Sequence, residues 1–406
     1  MNTDLAEELG KESSSLLGFG KGAAAEHGFG WLDDEGNIDR AKGAHLWITG
    51  RMTHCFALGH ILGESDCFDL AAHGITTLLN GPLRSGDGSR WFSAVDANGS
   101  PLPGPLVSYD HSFVILAAAS GVIAGVPLAD DLLDASLRTF DGLWWDESAG
   151  MVVDSRDSSS LAIDPYRGAN ANMHTVEALL AAWSATHDDS LLVKAERISS
   201  RILGFFLAND FRLPEHFDAQ WVAQLGYNED RPADAFRPFG STIGHWLEWS
   251  RLMTQVAVSC DHAGIERDPR LDVIPAHMYR RALMEGWGVD EESGFIYTID
   301  FHGRPVVHQR MYWVLCEAIG AAATLRISTS DPTYAEDIAC FWQWAKEFLI
   351  EKPGAWREEL DSSNHPASGT WSGKPDIYHA LQATLIPGLP LAPSFAAALD
   401  DGSTWR

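Results

Sequence analysis

The sequence predicts an all-α fold, an (α/α)6 barrel: a toroid of six helical hairpins with small β-hairpins on one rim, one domain over residues 1–406. Three observations predict it. Polar or aromatic helix openings recur around residues 51, 111, 174, 245, 313 and 379, at gaps of 60, 63, 71, 68 and 66 residues. That period is longer than typical solenoid repeats. In each unit an apolar helix precedes a more mixed one, and a helix apolar on more than one face is enclosed by others. No linker interrupts the chain, although 406 residues ordinarily suggest two or three domains.

The elements follow in order. Residues 4–17 read as an amphipathic helix, and Gly28-Phe-Gly-Trp31 as a glycine-aromatic loop. Helices are expected at 45–62 and 67–80. A hairpin follows at 91–99, because Asn98-Gly99 supplies the turn dihedrals. The pattern repeats: helices at 109–124 and 129–140, an excursion at 144–153, helices at 171–186 and 189–208. The loop 209–238 is longer than a connector needs, and such loops tend to be functional. Helices at 241–258 and 273–286 precede a second hairpin at 294–307. Helices at 310–326 and 332–349, a polar loop rich in Gly, Ser and Trp at 356–376, a helix at 376–385 and a Pro-rich tail ending in a short helix complete the chain. The inner helices all start at one level, so their N-termini ring one mouth and offer N–H groups to hydroxyl and oxyanion oxygens.

Composition limits the partners. Hydrophobic residues are 45% and charged residues 21%, ordinary for a globular protein. Lys plus Arg number 29 against 56 Asp plus Glu, a net charge of −27. That field repels nucleic acid and anionic membranes and favours neutral or cationic ligands. Five cysteines without CxxC spacing read as buried, reduced thiols of a cytoplasmic protein. Residues 1–9 lack the basic and apolar regions of a signal peptide. The apolar run 113–128 is a buried helix and too short for a membrane span. Oligomeric state is not legible.

The chemistry concentrates at Gly240-Ser-Thr-Ile-Gly-His-Trp-Leu-Glu-Trp249, which puts His245 and Glu248 on one helix face. His174 and Glu177 repeat the spacing after Asn172; Trp313 and Glu317, and Trp47 and Arg51, lie one turn apart; His379 and His111 open other helices. Imidazoles move protons near neutral pH, carboxylates accept from hydroxyls, and indoles (Trp47, Trp313, Trp371) stack on sugar C–H faces. Each has a bland counterpart: a satisfied core histidine, a capping or ion-paired glutamate, a packed tryptophan. Arg51, costly to bury alone, either pairs with a glutamate or stabilises substrate charge. His-x-x-Glu occurs twice, but di-iron bundles use the reverse order and no HExxH is present, so no metal is expected. No dinucleotide motif follows a strand, so no cofactor is expected. A carboxylate-pair glycosidase remains open.

Gly28-Phe-Gly-Trp31, His45-Leu-Trp-Ile-Thr-x-Arg51-Met, Arg167-Gly-x-Asn-Ala-Asn172-Met-His174, Glu215-His-Phe-Asp-x-Gln-Trp221, Gly244-His-Trp-x-Glu-Trp249 and Asp376-Ile-Tyr-His379 together resemble the N-acylglucosamine 2-epimerase superfamily, nearest its mannose isomerase and sulfoquinovose isomerase branch. The resemblance runs nearly end to end, to Pro387-Gly-Leu-Pro-Leu-Ala-Pro393. It implies an (α/α)6 barrel, no metal, and aldose–ketose isomerisation of free sugars. By motif, His245 and His379 match the two catalytic histidines, and Arg51, Asn172, His174, Glu248, Trp313 and Glu317 match pocket positions; Trp47 joins them as a stacking surface. Sulfonated-sugar isomerases are expected to carry an Arg and two Gln where this chain has Ala235, Glu358 and Pro375. Two of these cannot donate and Glu358 would repel the anion. A neutral hexose, mannose to fructose, with lyxose to xylulose beside it, is therefore favoured over sulfoquinovose; a cellobiose or N-acylglucosamine 2-epimerase and a glycoside hydrolase are the alternatives. The implied mechanism moves a proton through a cis-enediol. His379 is the base, His245 opens the ring, Arg51 stabilises the oxyanion, and Glu248 and Glu317 hold the histidines or hydroxyls. The roles of the two histidines are interchangeable at this level. These two imidazoles are expected to face one sugar from opposite sides of the mouth.

Overall fold

A computed structural model describes residues 3–400; the outer ends of the expected 1–406 domain and Met1 lie outside the described residues. Helix α1 (Thr3–Gly20) precedes α2 (Leu46–Ile61), α3 (Cys67–Asn80), α4 (Ser108–Ile123), α5 (Ala129–Thr139), α6 (Ala169–Thr186) and α7 (Asp189–Ala208). Then come α8 (Ile243–Ala263), α9 (Ile274–Gly286), α10 (Tyr312–Thr329), α11 (Thr333–Trp344), α12 (Tyr378–Leu385) and α13 (Phe395–Leu399). Helices α2, α4, α6, α8, α10 and α12 pack side by side into a closed inner ring, with α12 returning to α2. Their apolar character explains this. Phe113, Val114, Ile115, Leu116 and Ala117 are consecutive in α4 and all buried, and full burial of one large apolar side chain contributes about 1.5–3 kcal/mol.

Helices α3, α5, α7, α9 and α11 form the outer layer, each against its own inner partner, and the outer partner of α12 is α1. The two ends of the chain therefore make one unit. Ser13 donates to Thr384 at 2.9 Å. The buried Glu12 carboxylate accepts from Gly354 N–H and Trp356 Nε1, each at 2.9 Å. Helix α13 enters the opposite end of the ring, touching α2, α4 and α6, and seats Phe395 5.8 Å from the Arg251 guanidinium.

The sequence shows two hairpins and an excursion; the structure has a tight turn of one design in every unit. Asp33, Asp96, Asp157, Asp218, Asp300 and Asp361 each accept, through Oδ1, backbone N–H groups two and then three or four residues on. Such a side chain mimics a backbone turn. The dipeptide before each inner helix pairs with the turn strand of the next unit: 44–45 with 94–95, 106–107 with 155–156, 167–168 with 216–217, 241–242 with 298–299, and 310–311 with 359–360. A Leu32–Lys374 bridge closes the circle.

The turns also show where the chain has been lengthened. Four turn aspartates stand 12 or 13 residues before the next inner helix, whereas Asp361 stands 17 and Asp218 stands 25 before theirs. The extra residues carry Trp371 and Phe236, whose rings meet edge-on at 5.1 Å. Four of the five free cysteines are buried as expected, but Cys340 is exposed, because it lies on the solvent face of an outer helix. Among the described residues no helix is long and apolar enough to cross a membrane.

Candidate functional site

The second residue of every inner helix faces the axis at one level: Trp47, Tyr109, Asn170, Gly244, Trp313 and His379. All but Gly244 line a pocket of about 690 Å³ including its open mouth, a size usual for small-molecule sites. One helical turn deeper the series is Arg51, Phe113, His174, Glu248, Glu317 and Ala383. Gly244 is the exception for a steric reason. A Cβ there would lie 2.3 Å from the Trp313 ring, so only glycine lets the indole lie against α8, and His245, one residue on, takes the vacant sector.

This layering corrects two expectations. His111 and Asn172 each lie two residues past a lining residue, about 200° around the helix, and so face away from the axis. His111 Nε2 sits 2.9 Å from Ser136 carbonyl oxygen among the Trp91 and Trp144 rings, and burial lowers its pKa to about 4. Asn172, fully buried, accepts from Val152 N–H and donates to Gly168 carbonyl. Tyr109 and Asn170 line the pocket in their place, and the buried Asn170 Oδ1 has no protein donor.

The two expected histidines share this pocket, with Trp313 between them at ring separations of 5.3 Å to His245 and 5.8 Å to His379. They do not oppose each other as expected. Helices α8 and α12 flank α10, so both rings approach from one half of the mouth. Each is fixed through Nδ1. His245 bonds Glu215 Oε2 at 2.8 Å, while Glu215 Oε1 accepts from Thr242 N–H at 3.1 Å. His379 bonds Glu317 Oε1 at 2.8 Å. A carboxylate on Nδ1 puts the proton there and leaves Nε2 as an acceptor. His379 Nε2 stands 3.4 Å from Arg51 Nη2. Burial and then the Arg51 charge depress the His379 pKa, with Glu317 opposing them.

Arg51 is paired, but with Asp376 at 3.1 Å and not with a glutamate; its other nitrogen donates to the Tyr109 hydroxyl at 2.9 Å. The guanidinium also lies within 5.0 Å of the Trp47, Phe113 and Tyr378 rings. Below, one buried cation collects three carboxylates from three inner helices. Arg251 reaches Glu317 at 3.1 Å, Glu248 at 3.3 Å and Glu177 at 3.7 Å. Glu177 also accepts from Tyr378 and from Gln382 at 3.2 Å. His174 lies 3.5 Å from Glu177 and 3.8 Å from Glu248, and burial lowers its pKa to about 4. His174, Glu177 and Glu248 bring ligand atoms within 4.8 Å of one another, the spacing of a metal set. The guanidinium already in contact with both glutamates supplies the positive charge an ion would bring, so these residues fit a charge cluster better than a metal centre.

The wall matches the specificity argument in part. Ala235, Glu358 and Pro375 all border the pocket. Glu358 is less anionic than expected, because burial and then neighbouring Asp376 raise its pKa well above the ordinary range. Neither Ala235 nor Pro375 offers a side-chain donor. Trp371 roofs the pocket between Trp31, ring centroids 6.3 Å apart, and Phe236. Sequence reasoning passed over Glu215 and Asp376 as site residues, although both stand inside quoted motifs, and over Tyr109 and Arg251 altogether.

Comparisons with known proteins agree with this architecture. The sequence profile of N-acylglucosamine 2-epimerase matches residues 28–383. The chain is 44% identical over 400 residues to the D-mannose isomerase of Thermobifida fusca, covering 96% of each. It is 41% identical over 394 residues to that of Pseudomonas cannabina pv. alisalensis, covering 96% of this chain and 94% of the relative. A crystal structure of a D-mannose isomerase superposes with a TM-score of 0.85 at 24% identity, over 95% of this chain and 97% of the other, and shows the same fold. On its sequence and its barrel alike, the chain belongs to the N-acylglucosamine 2-epimerase family.

Proposed function

We propose that this chain is a sugar isomerase that interconverts D-mannose and D-fructose, and D-lyxose and D-xylulose beside them. The observation that carries the reading is the pair of imidazoles in one pocket. Each is tied through Nδ1 to a glutamate, and each ring lies tilted against the Trp313 indole. The relatives named D-mannose isomerase, at 44% and 41% identity, support the choice of sugar.

Ring opening needs a group that handles the ring oxygen and the anomeric hydroxyl; His245 is assigned to it. Isomerisation then moves a proton from C2 to C1. The C2–H is weakly acidic, so a base must touch it and the enediolate oxygens must be stabilised. His379 Nε2 takes the proton from C2 to give the cis-enediolate, the O2 hydroxyl proton passes to O1, and His379, after exchange with solvent, delivers a proton to C1. Arg51, 3.4 Å from that nitrogen, holds the charge on O1 and O2. Glu215 and Glu317 fix the tautomers, Trp47 and Trp313 carry the C–H faces, and Asn170 accepts from a hydroxyl. Proton transfer needs no metal, so EDTA should leave turnover unchanged. The unpaired thiols suit a cytoplasmic setting.

Incubation with mannose, glucose, lyxose, cellobiose and sulfoquinovose, read by NMR, tests this. Fructose should form from mannose and xylulose from lyxose. Glucose as the main product from mannose would indicate a 2-epimerase, which returns the proton to the other face of C2. His379→Ala should lower turnover by about 10²–10⁴ while mannose binding survives.

A further inference from the structure

The basement of the pocket holds more negative charge than its one cation can balance. Glu177, Glu248 and Glu317 converge on Arg251, and all four are buried. Their remaining partners are unequal. Glu177 has Tyr378, Gln382 and His174; Glu317 has His379 and two Arg251 nitrogens at 3.1 and 3.2 Å. Glu248 has one long bond from Arg251 to Oε1, and its Oε2 is buried with no partner. Yet Glu248 also borders the sugar pocket, one turn below His245.

An isolated buried carboxylate oxygen is costly, and three ionised carboxylates around one guanidinium are costlier. Adding one proton relieves both, and the oxygen without a donor is where it belongs. We propose that Glu248 is a further catalytic residue, a neutral carboxylic acid whose Oε2–H donates a hydrogen bond from the pocket floor to the enediolate oxygen of the sugar. Burial, followed by the charges of Glu317 and Glu177, holds its pKa well above the ordinary carboxylate range, while Glu177 and Glu317 are held low against their own burial. A carboxylic acid kept neutral by its site is an established way to donate to an oxyanion at neutral pH. Arg51 and Glu248 would then bracket the developing charge from the wall and from the floor. The proton stays on Glu248 throughout; only the strength of its hydrogen bond changes as the oxygen becomes anionic.

The inference rests on the isomerase reading, and two measurements separate them. Glutamine at 248 keeps an acceptor for Arg251 at the Oε1 position and puts an N–H donor at the Oε2 position. Glu248→Gln should keep kcat for mannose within about tenfold of the parent, whereas Glu248→Ala should lose about 10²–10³, the usual loss for an oxyanion donor. A Gln variant that falls as far as the Ala variant, with unchanged thermal unfolding, overturns the inference and leaves the isomerase reading standing. The second measurement needs no turnover. The infrared difference spectrum of parent minus Glu248→Gln at neutral pH should contain the carbonyl stretch of a protonated carboxyl. Carboxylate bands alone in that difference would overturn the inference even if the substrate proved to be another sugar.

Discussion

His379 is the residue on which most of the site converges. It acts as a base only when neutral. Burial and Arg51 depress its pKa, and Glu317 pulls it back up. The acidic limb of kcat/KM should therefore lie below the ordinary imidazole value near 6.5, with rate lost as pH falls through the depressed pKa. Glu317→Gln removes the group that favours the imidazolium, so it should move that limb to still lower pH as kcat drops from the lost tautomer control. A limb that moved upward would contradict the assignment. At this scale the sequence was informative where side chains recur and uninformative about rotation. His245, His379, Arg51, Trp47 and Trp313 were legible as helix-opening chemistry. His111 and Asn172 were misread because a polar residue near a helix start carries no mark of the face it occupies. Glu215 was hidden because its function is to hold His245 from a connection 30 positions away.

Among the elements, the two lengthened connections are the distinctive ones. The rim turns are otherwise uniform, and the added residues before α8 and α12 bring Phe236 and Trp371 together over the pocket. His216 anchors the first of these loops, bonding the Tyr166 hydroxyl at 2.7 Å and Pro238 carbonyl at 2.8 Å. Trp371→Ala should raise KM for mannose several-fold and leave kcat less affected, since it removes a covering surface and no proton-transfer group; steady-state kinetics checks this. The length of the 209–238 loop was legible as functional. The sixfold turn was not, because its left-handed residue is Gly36, Gly99 and Gly303 in three units but Trp221 and Asn364 in two others, which carry no glycine signal.

In the whole molecule, ring closure depends on the two ends meeting. The period of about 65 residues reveals the number of units, but it cannot reveal that α1 serves as the outer helix of the last one. That pairing rests on contacts such as Glu12 to Gly354 and Trp356, more than 340 residues apart. Glu12→Ala leaves the Trp356 indole N–H and Gly354 N–H unsatisfied in a buried seam, at about 1–3 kcal/mol each. Thermal unfolding should shift downward with little change in KM, since α1 does not reach the pocket. The same closed ring is what sets His245 and His379 on either side of Trp313, and the central claim is that His379 moves a proton between C2 and C1 of a sugar whose ring His245 has opened. The most direct measurement is NMR of the fructose formed from mannose in D2O. The account predicts deuterium at C1 of the fructose. Fructose formed without deuterium, with the mannose C2 hydrogen carried intact to C1, would contradict it.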